Sequence, residues 1–305
     1  MALAAGVWVF LGVRLLGLDW FSPAAQLVAF TPYLVLAGLL AAVAAAGFRR
    51  WRIAVVGLLS AVVAVSMVAP RMVSDQAPAN PAGVELRVMT ANLWHGNAVA
   101  PLMSLIRRER PDVLSLQEVD AQAADRLERA GLRTLLPHRA ARLAPGVAGT
   151  ALYAREPFSQ LRTFDPRTRF DMARASIRHQ GVALDLVAAH PSPPVPGDAV
   201  ADWRRELGWL TRTADEGVLT VLAGDFNATL DHSGFRRLLD AGFIDAADAA
   251  GRGLAATWQA GWVPPVTLDH VLVESRPGAA VRAVRVHPIP GSDHRAVVAD
   301  LRVPG

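Results

Sequence analysis

The chain of 305 residues contains no cysteine, which excludes disulfide bonds and thiolate metal sites. Its 31 basic residues, all of them arginine, and its 27 acidic residues give a net charge of +4. After residue 75 the balance is 26 arginines against 25 acidic residues, so this larger part of the chain is nearly neutral. Its charge therefore gives no indication of nucleic-acid binding through phosphate neutralisation.

Two long uncharged stretches near the N-terminus predict a membrane region. No charged residue occurs in the stretches 20–48 and 53–70, and about 17 to 20 apolar residues suffice to cross the hydrocarbon layer. A third stretch, residues 1–18, is apolar except for Arg14, and it is either a further span or a signal-type segment. We therefore expect residues 1–72 to form a transmembrane region of two to three helices.

Arginines set the expected orientation of this region. Three of them lie between residues 49 and 52, in the short connection between the two uncharged stretches, whereas the connection 19–23 has no basic residue. By the positive-inside rule the arginine cluster faces the cytoplasm, although Arg14 and Arg71 lie on the side that the rule disfavours. The expected localisation is the cell membrane, as a multi-pass protein whose main domain is extracytoplasmic.

The rest of the chain alternates between strand and helix patterns. Residues 73–83 predict a linker, and residues 84–305 predict one folded domain. Strands are predicted at 84–90, 113–118, 149–155, 172–178, 182–190, 218–223, 266–273, 281–286 and 295–303, and helices at 97–108, 121–130, 199–214 and 233–241. Asn97 is the expected N-cap of the first of these helices. The alternation predicts a layered α/β fold.

The most informative stretch is Gly224-Asp225-Phe226-Asn227, which ends the apolar run 218–223. A short run without polar alternation is typical of a strand buried on both faces. Because strand side chains repeat every two residues, Asp225 and Asn227 point the same way, and a carboxylate beside an amide suits a hard cation and its phosphate oxygens. The same residue types are common in turns, so the motif alone leaves a turn open.

Polar residues recur at the ends of the predicted strands. Six apolar strands are expected to end in them, at Asn92, Glu118, His190, Asp225 with Asn227, Asp269 with His270, and Asp293 with His294. Each residue has an ordinary structural explanation, such as a turn cap, a loop histidine or an ion pair with an arginine. Their shared placement instead predicts that one sheet end, or the mouth between two packed sheets, gathers them into a site.

These residues resemble the motifs of the endonuclease/exonuclease/phosphatase superfamily, which has the deoxyribonuclease I-like fold. The matching motifs are Asn92, Leu116-Gln117-Glu118-Val119, His190-Pro191, Gly224-Asp225-Phe226-Asn227, Leu268-Asp269-His270-Val271 and Gly291-Ser292-Asp293-His294. The resemblance covers residues 84–303 and implies a four-layered α/β sandwich of two packed, mostly antiparallel sheets flanked by helices. With the N-terminal helices, the chain is similar to a membrane-anchored bacterial-type member.

The resemblance also implies a metal site for Mg²⁺ or Mn²⁺. Glu118 would be the main ligand with Asn92 beside it, and Asp293 would be a further ligand or a supporting carboxylate. Ligands that offer only oxygen suit Mg²⁺, which keeps several waters and bridges to substrate phosphate. The sequence departs from some nuclease members in two respects: no acidic residue follows Asn92 closely, and the loops that grip a duplex are short or not identifiable.

The resemblance assigns the remaining residues to the reaction itself. Asp225 and Asn227 would position the nucleophile and the phosphate, His190 would contact the phosphoryl oxygens, and Asp269 would orient His294. An imidazole held by a carboxylate supports proton transfer, which contributes roughly 10² to 10⁴ in rate. A Ser-His-Asp hydrolase is the competing interpretation, but the sequence has no Gly-x-Ser-x-Gly elbow.

The sequence therefore predicts a membrane-tethered phosphoesterase that uses a divalent metal and a histidine base to direct water at a phosphodiester or phosphomonoester. The expected partners are a phosphate-ester substrate (nucleic acid, phospholipid head group or small phosphate ester) and the lipid bilayer, and no protein partner is indicated. The alternative is a catalytically silent membrane protein that uses the same fold as a binding module. A lost catalytic residue would favour it, and all the expected positions are filled.

Overall fold

A computed structural model describes the chain in five segments. They are residues 2–75, 83–163, 168–195, 199–213 and 217–304. Most of the predicted linker 73–83 thus lies outside the described residues. At its two ends, Ser74 forms a bridge with Ala250, and Gly83 leads into the first strand.

Residues 2–72 form helices joined by short connections. The helices are α1 (Ala2–Leu16), α2 (Ala24–Val28), α3 (Tyr33–Gly47) and α4 (Trp51–Val68), followed by a 3₁₀ turn (Ala69–Met72). Within the described residues, Trp51–Met72 is the one helix long and apolar enough to cross a membrane. The uncharged stretch 20–48 is divided between α2 and α3, which follow Pro23 and Pro32. Proline has no backbone N–H to donate, so a helix does not continue through it without losing a hydrogen bond.

Helices α3 and α4 pack closely through small residues. A Cβ added to Gly57 would lie 3.0 Å from the backbone nitrogen of Ala42, and one added to Gly38 would lie 3.2 Å from that of Ala61. Such small residues let helix backbones approach each other, as in membrane helix pairs. The outward faces expose large apolar side chains, namely Leu36, Leu40, Val43, Val55, Leu58, Leu59 and Val62. A surface of this kind marks contact with another apolar phase or partner.

Two six-stranded sheets form the main domain. In chain order the strands are β1 (Val84–Asn92), β2 (Val113–Gln117), β3 (His138–Arg142), β4 (Thr150–Ala154), β5 (Phe158–Thr163), β6 (Ala173–His179), β7 (Val182–Ala189), β8 (Leu219–Asp225), β9 (Phe243–Asp245), β10 (Asp269–Glu274), β11 (Ala280–Pro288) and β12 (Arg295–Val303). Their spatial orders are β11-β12-β1-β2-β4-β3 and β5-β6-β7-β8-β10-β9. In each sheet one central pair, β1–β2 or β7–β8, is parallel and the other pairs are antiparallel.

The sheets pack face to face with helices on both outer surfaces. These helices are α5 (Val99–Glu109), α6 (Ala121–Arg129), α7 (Leu132–Leu135), α8 (Ala199–Leu210) and α9 (Ser233–Asp240). The short α10 (Ala246–Ala249) instead packs against the core between the sheets. On β1, Leu86 and Val88 enter the core between the sheets, whereas Met89 and Ala91 pack under α5 and α6, as strand alternation requires. The predicted fold of two packed sheets flanked by helices is confirmed.

Two sequence predictions about local structure are wrong. Asn97 does not cap α5, whose N-cap is Ala98; its side-chain amide instead donates to the carbonyl of Trp94 at 2.9 Å. Asp269 and His294 do not end strands, because Asp269 begins β10 and His294 precedes β12. Since β10 runs antiparallel to β8, its first residue pairs with the last residue of β8, Asp225. The start of one strand and the end of the other therefore meet at the same rim.

A buried carboxylate joins the N-terminal helices to the main domain. Asp231, in the loop between β8 and α9, accepts hydrogen bonds from Arg14 at 2.9 Å and from both terminal nitrogens of Arg71 at 2.6 and 2.8 Å. Burial alone would raise the pKa of Asp231, but the two guanidinium groups outweigh it and hold this pKa below its usual range. Asp19 likewise accepts from the backbone N–H of Ser233 at the start of α9, at 2.7 Å. The two arginines that the positive-inside rule disfavours are thus paired with the main domain.

We predict that Asp231→Ala lowers the free energy of unfolding of the full chain by about 3–5 kcal/mol, because it leaves two buried guanidinium groups without their carboxylate. Chemical denaturation of the detergent-solubilised chain measures the change. Asp125→Ala is the matched control, since the Asp125–Arg129 pair has side chains 62% and 71% exposed and is expected to contribute at most about 1 kcal/mol. Equal losses in the two variants would contradict the joining role of Asp231.

Candidate active site

The structure brings together every side chain that the sequence analysis assigned to the site. The ends of β1, β2, β7 and β8 and the starts of β10 and β12 meet at one rim of the two sheets. The residues gathered there are Asn92, Glu118, His190, Asp225, Asn227, Asp269, Asp293 and His294. The structure thus satisfies the geometric requirement of the predicted site, while the chemical roles of the residues stay predictions.

Asn92 bridges the two sheets. Its Nδ2 donates to Oε1 of Glu118, which follows β2, and to Oδ2 of Asp225 on β8, both at 3.2 Å. Its Oδ1 accepts from the backbone N–H of Trp94 at 3.0 Å, and the side chain is fully buried. The second oxygen of Glu118 accepts from the backbone N–H of His95 at 2.8 Å. Glu118 is therefore held by one donor on each of its oxygens.

Several residues at this rim have an unusual backbone. Trp94, His95, Glu118 and Asn227 have φ angles of 44°, 58°, 58° and 49°, in the left-handed region that side-chain-bearing residues seldom adopt. Each such residue costs on the order of 1–3 kcal/mol, and such residues cluster where a site needs a fixed geometry. The strained conformations occur directly after β1, β2 and β8. They turn the chain sharply at the point where each strand delivers its polar side chain.

His294 is paired with Asp269. Its Nδ1 lies 2.8 Å from Oδ2 of Asp269, while its Nε2 lies 3.7 Å from Oδ2 of Asp225 and 4.0 Å from Oδ1 of Asp293. Burial lowers the pKa of the imidazole, but the negative charges of Asp269, Asp225 and Asp293 outweigh it and raise this pKa to about 10. With the side chains alone, His294 is therefore a cation at neutral pH.

His190 has the opposite electrostatic character. Its ring is 2% exposed and packs on Phe170 with centroids 4.9 Å apart. Burial lowers the pKa of His190 to about 4, and the nearby His294 adds to this effect against the attraction of Asp225. Its Nε2 lies 3.9 Å from Oδ2 of Asp225, which is too long for a hydrogen bond. His190 is thus a neutral imidazole with hydrogen-bonding capacity to offer a ligand.

Close backbone packing places His190 beside Asp225. In the parallel β7–β8 pair, Ala189 lies opposite Gly224, and a Cβ at Gly224 would come within 1.8 Å of the Ala189 carbonyl oxygen. Only glycine fits there. Asn227 completes the connection, because its backbone N–H donates to Oδ1 of Asp225 at 2.8 Å and its Nδ2 donates to the carbonyl of Pro191 at 3.0 Å. The Gly224–Asn227 motif therefore does form the turn that its sequence alone did not exclude, and this turn is part of the site.

The donor set fits a divalent cation. Glu118, Asp225 and Asp293 line one cleft together with the cationic His294, and Asp269 bonds to His294. Burial, and then the charge of Asp225, raises the pKa of Glu118; burial also raises that of Asp225, in spite of His294. Oδ1 of Asp269 and Oδ1 of Asp293 are buried without a hydrogen-bond partner. Unpaired carboxylate oxygens in such a cluster suit a hard cation such as Mg²⁺ or Mn²⁺.

Two ligand sets are conceivable within this cluster. Asp225, Asp269 and His294 have potential ligand atoms within 4.8 Å of one another, whereas the sequence analysis assigned the metal to Glu118, Asn92 and Asp293. Nδ1 of His294 already bonds to Asp269 at 2.8 Å, so a cation bound by this set would occupy Nε2 and prevent the imidazole from acting as the base that the family resemblance implies. We therefore favour a site centred on Glu118. Asn92 contributes to it at least by fixing the Glu118 carboxylate.

Other contributors were not identified as site residues from the sequence. Nε1 of Trp258 donates to Oδ2 of Asp293 at 3.0 Å. The Ser292 hydroxyl donates to the carbonyl of Asn92 at 2.9 Å and accepts from the backbone N–H of His294 at 3.0 Å. Ser292 is part of a recognised motif, so its neighbours already pointed to it. Trp258 lies far from the motifs in sequence, and no local pattern indicates its contact.

A buried hydrogen-bond chain links the sheets beneath the cleft. Thr90 donates to Gln117 at 3.1 Å, Gln117 donates to the hydroxyl of Ser115 at 2.9 Å, and Ser115 donates to the carbonyl of Ala223 at 2.7 Å. These three side chains are fully buried. Because a buried polar group without a partner costs about 1–3 kcal/mol, this chain favours one relative position of β2 and β8. The positions of Glu118 and Asp225 follow from it.

The cleft above these residues has a volume of about 480 Å³. The N-terminal region contributes Ala25, Gln26, Ala29 and Phe30 to its wall. The side chain of Gln26 donates to the carbonyl of Pro194, which also lines the cleft. The candidate site is therefore built by both parts of the chain.

The two packed sheets and the acidic, histidine-bearing cleft at their rim define a protein of the deoxyribonuclease I-like type. The model of the Endonuclease/Exonuclease/phosphatase family matches residues 89–294, and the chain belongs to this family. Among curated proteins, none matches it.

Solved structures agree with the fold. A humanized D. rerio TDP2 is similar with a TM-score of 0.61 at 17% identity, over 71% of this chain and 98% of that one. An endonuclease/exonuclease/phosphatase from Beutenbergia cavernae has a TM-score of 0.56 at 22% identity, over 72% of each chain. The 3′ phosphatase NExo from Neisseria, bound to a product DNA hairpin, has a TM-score of 0.56 at 19% identity, over 70% of this chain and 98% of that one. At these identities the likeness concerns the fold.

Proposed function

We propose that this chain is a divalent-metal-dependent phosphoesterase, held at a membrane by its N-terminal helices. The observation that carries the proposal is the convergence of Glu118, Asp225 and the Asp269–His294 pair in one cleft. Family membership indicates hydrolysis of phosphoester bonds. Structures of the D. rerio and Neisseria proteins with single-strand DNA product and a product DNA hairpin support a phosphate ester as the class of substrate, whether nucleic acid, phospholipid head group or small ester.

The chain's own groups prepare the site for an anionic substrate. Glu118 would hold Mg²⁺ or Mn²⁺, and Asp293, which lines the same cleft, would offer a further carboxylate oxygen. Such an ion, when bound, stabilises negative charge on the phosphoryl oxygens and contributes several kcal/mol. Asn92 and the His95 N–H fix the two oxygens of Glu118, so the carboxylate does not have to reorganise. Neutral His190 can donate to a phosphoryl oxygen without its own charge to neutralise.

His294 is the group that would move the proton. Asp269 holds Nδ1, so Nε2 faces the cleft beside Asp225 and Asp293. In the proposed step, water attacks phosphorus, its proton passes to Nε2, and the bond from phosphorus to the leaving oxygen breaks. This step requires a neutral imidazole at the outset. The positive charge of a cation bound beside Asp225 and Asp293 would lower the pKa of His294 toward the range in which the neutral imidazole is available.

Several observations support the membrane part of the proposal. The helix Trp51–Met72 is roughly 33 Å long at about 1.5 Å per residue, which matches the hydrocarbon thickness of about 30 Å. The arginines between residues 49 and 52 are exposed at the end of α3 and α4 remote from the main domain. At the other end, Arg14 and Arg71 pair with Asp231. This arrangement supports a cytoplasmic arginine cluster and an extracytoplasmic main domain.

We predict that a chelator abolishes hydrolysis of bis(p-nitrophenyl) phosphate by the full chain, and that Mg²⁺ or Mn²⁺ restores it, because the carboxylate cluster cannot receive a phosphate anion without a cation. Glu118→Gln is expected to lower kcat/KM at least about 100-fold at fixed metal concentration. Glu85→Gln, whose side chain is 77% exposed, is the control and keeps full activity. Activity that resists the chelator would contradict the metal role.

We predict that His294→Gln lowers kcat by roughly 10² to 10⁴ while the full chain still binds Mn²⁺ in a calorimetric titration. In the unaltered chain, kcat/KM should rise with pH as the imidazolium, whose pKa the surrounding carboxylates raise, loses its proton. The variant should lack this rising limb. His138→Gln, on the edge strand β3, is the matched control. A variant that kept both the rate and the pH profile would rule out the base role of His294.

We predict the topology of the chain from a pair of fusions. A reporter active only outside the cytoplasm should be active when joined at Gly305, and inactive when inserted between Arg49 and Arg50. A reporter active only in the cytoplasm should give the reverse result, because the arginine cluster resists translocation. Activity of the Gly305 fusion in the cytoplasm would overturn the proposed orientation.

A further inference from the structure

Two chemically different sets of side chains line the cleft. One set contains the catalytic candidates Glu118, Asp225 and His294, and the other is apolar. The apolar lining consists of Ala25, Ala29, Phe30, Val147, Phe170, Pro193, Pro194, Val195, Val263, Val266 and Leu268. A volume of about 480 Å³ with apolar walls and a few convergent polar groups is typical of a pocket that buries a small amphiphilic ligand.

The N-terminal region supplies part of the apolar wall, at Ala25, Ala29 and Phe30, and it is fixed in place. Nε2 of the buried His232 donates to the carbonyl of Ala25 at 2.7 Å, and Ala25 itself is part of the core under α8 and α9. The Tyr33 hydroxyl donates to the carbonyl of Pro265 at 2.6 Å, beside the lining residue Val266. The wall is thus continuous with α3, which begins at Tyr33, and with the loop that follows Trp258.

The opening of the cleft is apolar as well. Trp94 and Val195 line it and are 44% and 49% exposed, and Trp262, next to the lining residue Val263, is 95% exposed. Large side chains exposed in this way beside a pocket mark contact with an apolar phase, and tryptophan is enriched at membrane interfaces.

The charge of the cleft does not suit a polyanion. None of the described residues that line it is an arginine, and the chain has no lysine. Proteins that bind nucleic acid neutralise several phosphates with basic side chains along the strand. A substrate with a single phosphate group beside the carboxylates and histidines would need an uncharged, apolar group to contact the rest of the lining.

We propose that the substrate is a phosphate ester of a lipid, whose alkyl chain lies against Ala29, Phe30 and Val263 while its phosphate faces Glu118, His190 and His294. This inference rests on the proposed phosphoesterase function and narrows its substrate class. The N-terminal helices then have two roles, because they hold the domain at the bilayer and also form the wall that binds the alkyl chain.

A series of p-nitrophenyl alkyl phosphodiesters tests the proposal with the full chain in detergent and Mg²⁺. The ethyl, butyl, hexyl and octyl esters share one scissile bond and one leaving group, and they differ only in the alkyl chain. Burial of a methylene corresponds to about fourfold in affinity at most, so kcat/KM should rise at least about twofold per methylene up to octyl. The same order is expected for binding of ethyl and octyl phosphonate, measured by calorimetry without turnover.

Two variants, one in each wall, are expected to flatten this dependence. Ala29→Trp fills the cleft from the N-terminal side, and Val263→Asp places a carboxylate against the alkyl chain from the main domain. Each should lower the ratio of octyl to ethyl kcat/KM at least about tenfold. Leu27→Gln is the matched control, because Leu27 lies on the same short helix as Ala25 but is 48% exposed and does not line the cleft. Partition of the octyl ester into detergent is the same for all variants and cannot produce the difference.

The outcomes separate this inference from the function on which it rests. Rising rates with chain length that both wall variants flatten would support the lipid substrate. Hydrolysis of the ethyl ester with no dependence on chain length, or a preference for a single-stranded oligonucleotide over the octyl ester, would overturn the lipid substrate and leave the phosphoesterase standing. Hydrolysis of no ester at all would overturn both.

Discussion

The site depends on the carboxamide of Asn92, which lies on one sheet and donates to carboxylates associated with both. Glu118 follows a strand of the same sheet as Asn92, and Asp225 ends a strand of the other. Two carboxylates repel each other across a buried gap, and a shared amide donor offsets part of that repulsion. The hydrogen bond of Ser115 to Ala223 beneath them fixes the spacing of the two sheets. The site is therefore a property of how the sheets pack and not of any single loop.

The N-terminal helices are part of this construction. Asp231 lies in the loop that follows Asp225 and contains Asn227, and it binds Arg14 and Arg71. The loop at the candidate site therefore also carries the attachment of the helices. A buried ion pair of this kind gives little net stability, but it penalises any other arrangement of its partners. This constraint explains why residues 25–30 can serve as a wall of the cleft. It also explains why two arginines lie where the positive-inside rule disfavours them.

Much of the fold could be predicted from local patterns. The strands near residues 84, 113, 182, 219 and 295 were identified because they are apolar runs, or apolar and polar residues in alternation, with clear ends. The structure has three strands that were missed, β3, β5 and β9, which are short or polar and lie at sheet edges. An edge strand is paired on one side only, and its hydrophobic pattern is correspondingly weak. The cap assigned to Asn97 failed because α5 begins one position later than the helix pattern predicts, with Ala98 at the N-cap.

The sequence by itself determined which residues end at the rim, because the carboxylates, amides and imidazoles directly follow or precede apolar strands, and strand periodicity is a local property. It did not determine that Trp258 donates to Asp293 or that residues 25–30 form part of the apolar wall of the cleft. Nor did it indicate that Asp231 would bind arginines 160 and 217 positions away. Only the tertiary structure decided these contacts, because they depend on how whole layers pack against each other, and that packing has no signature in the spacing of neighbouring residues.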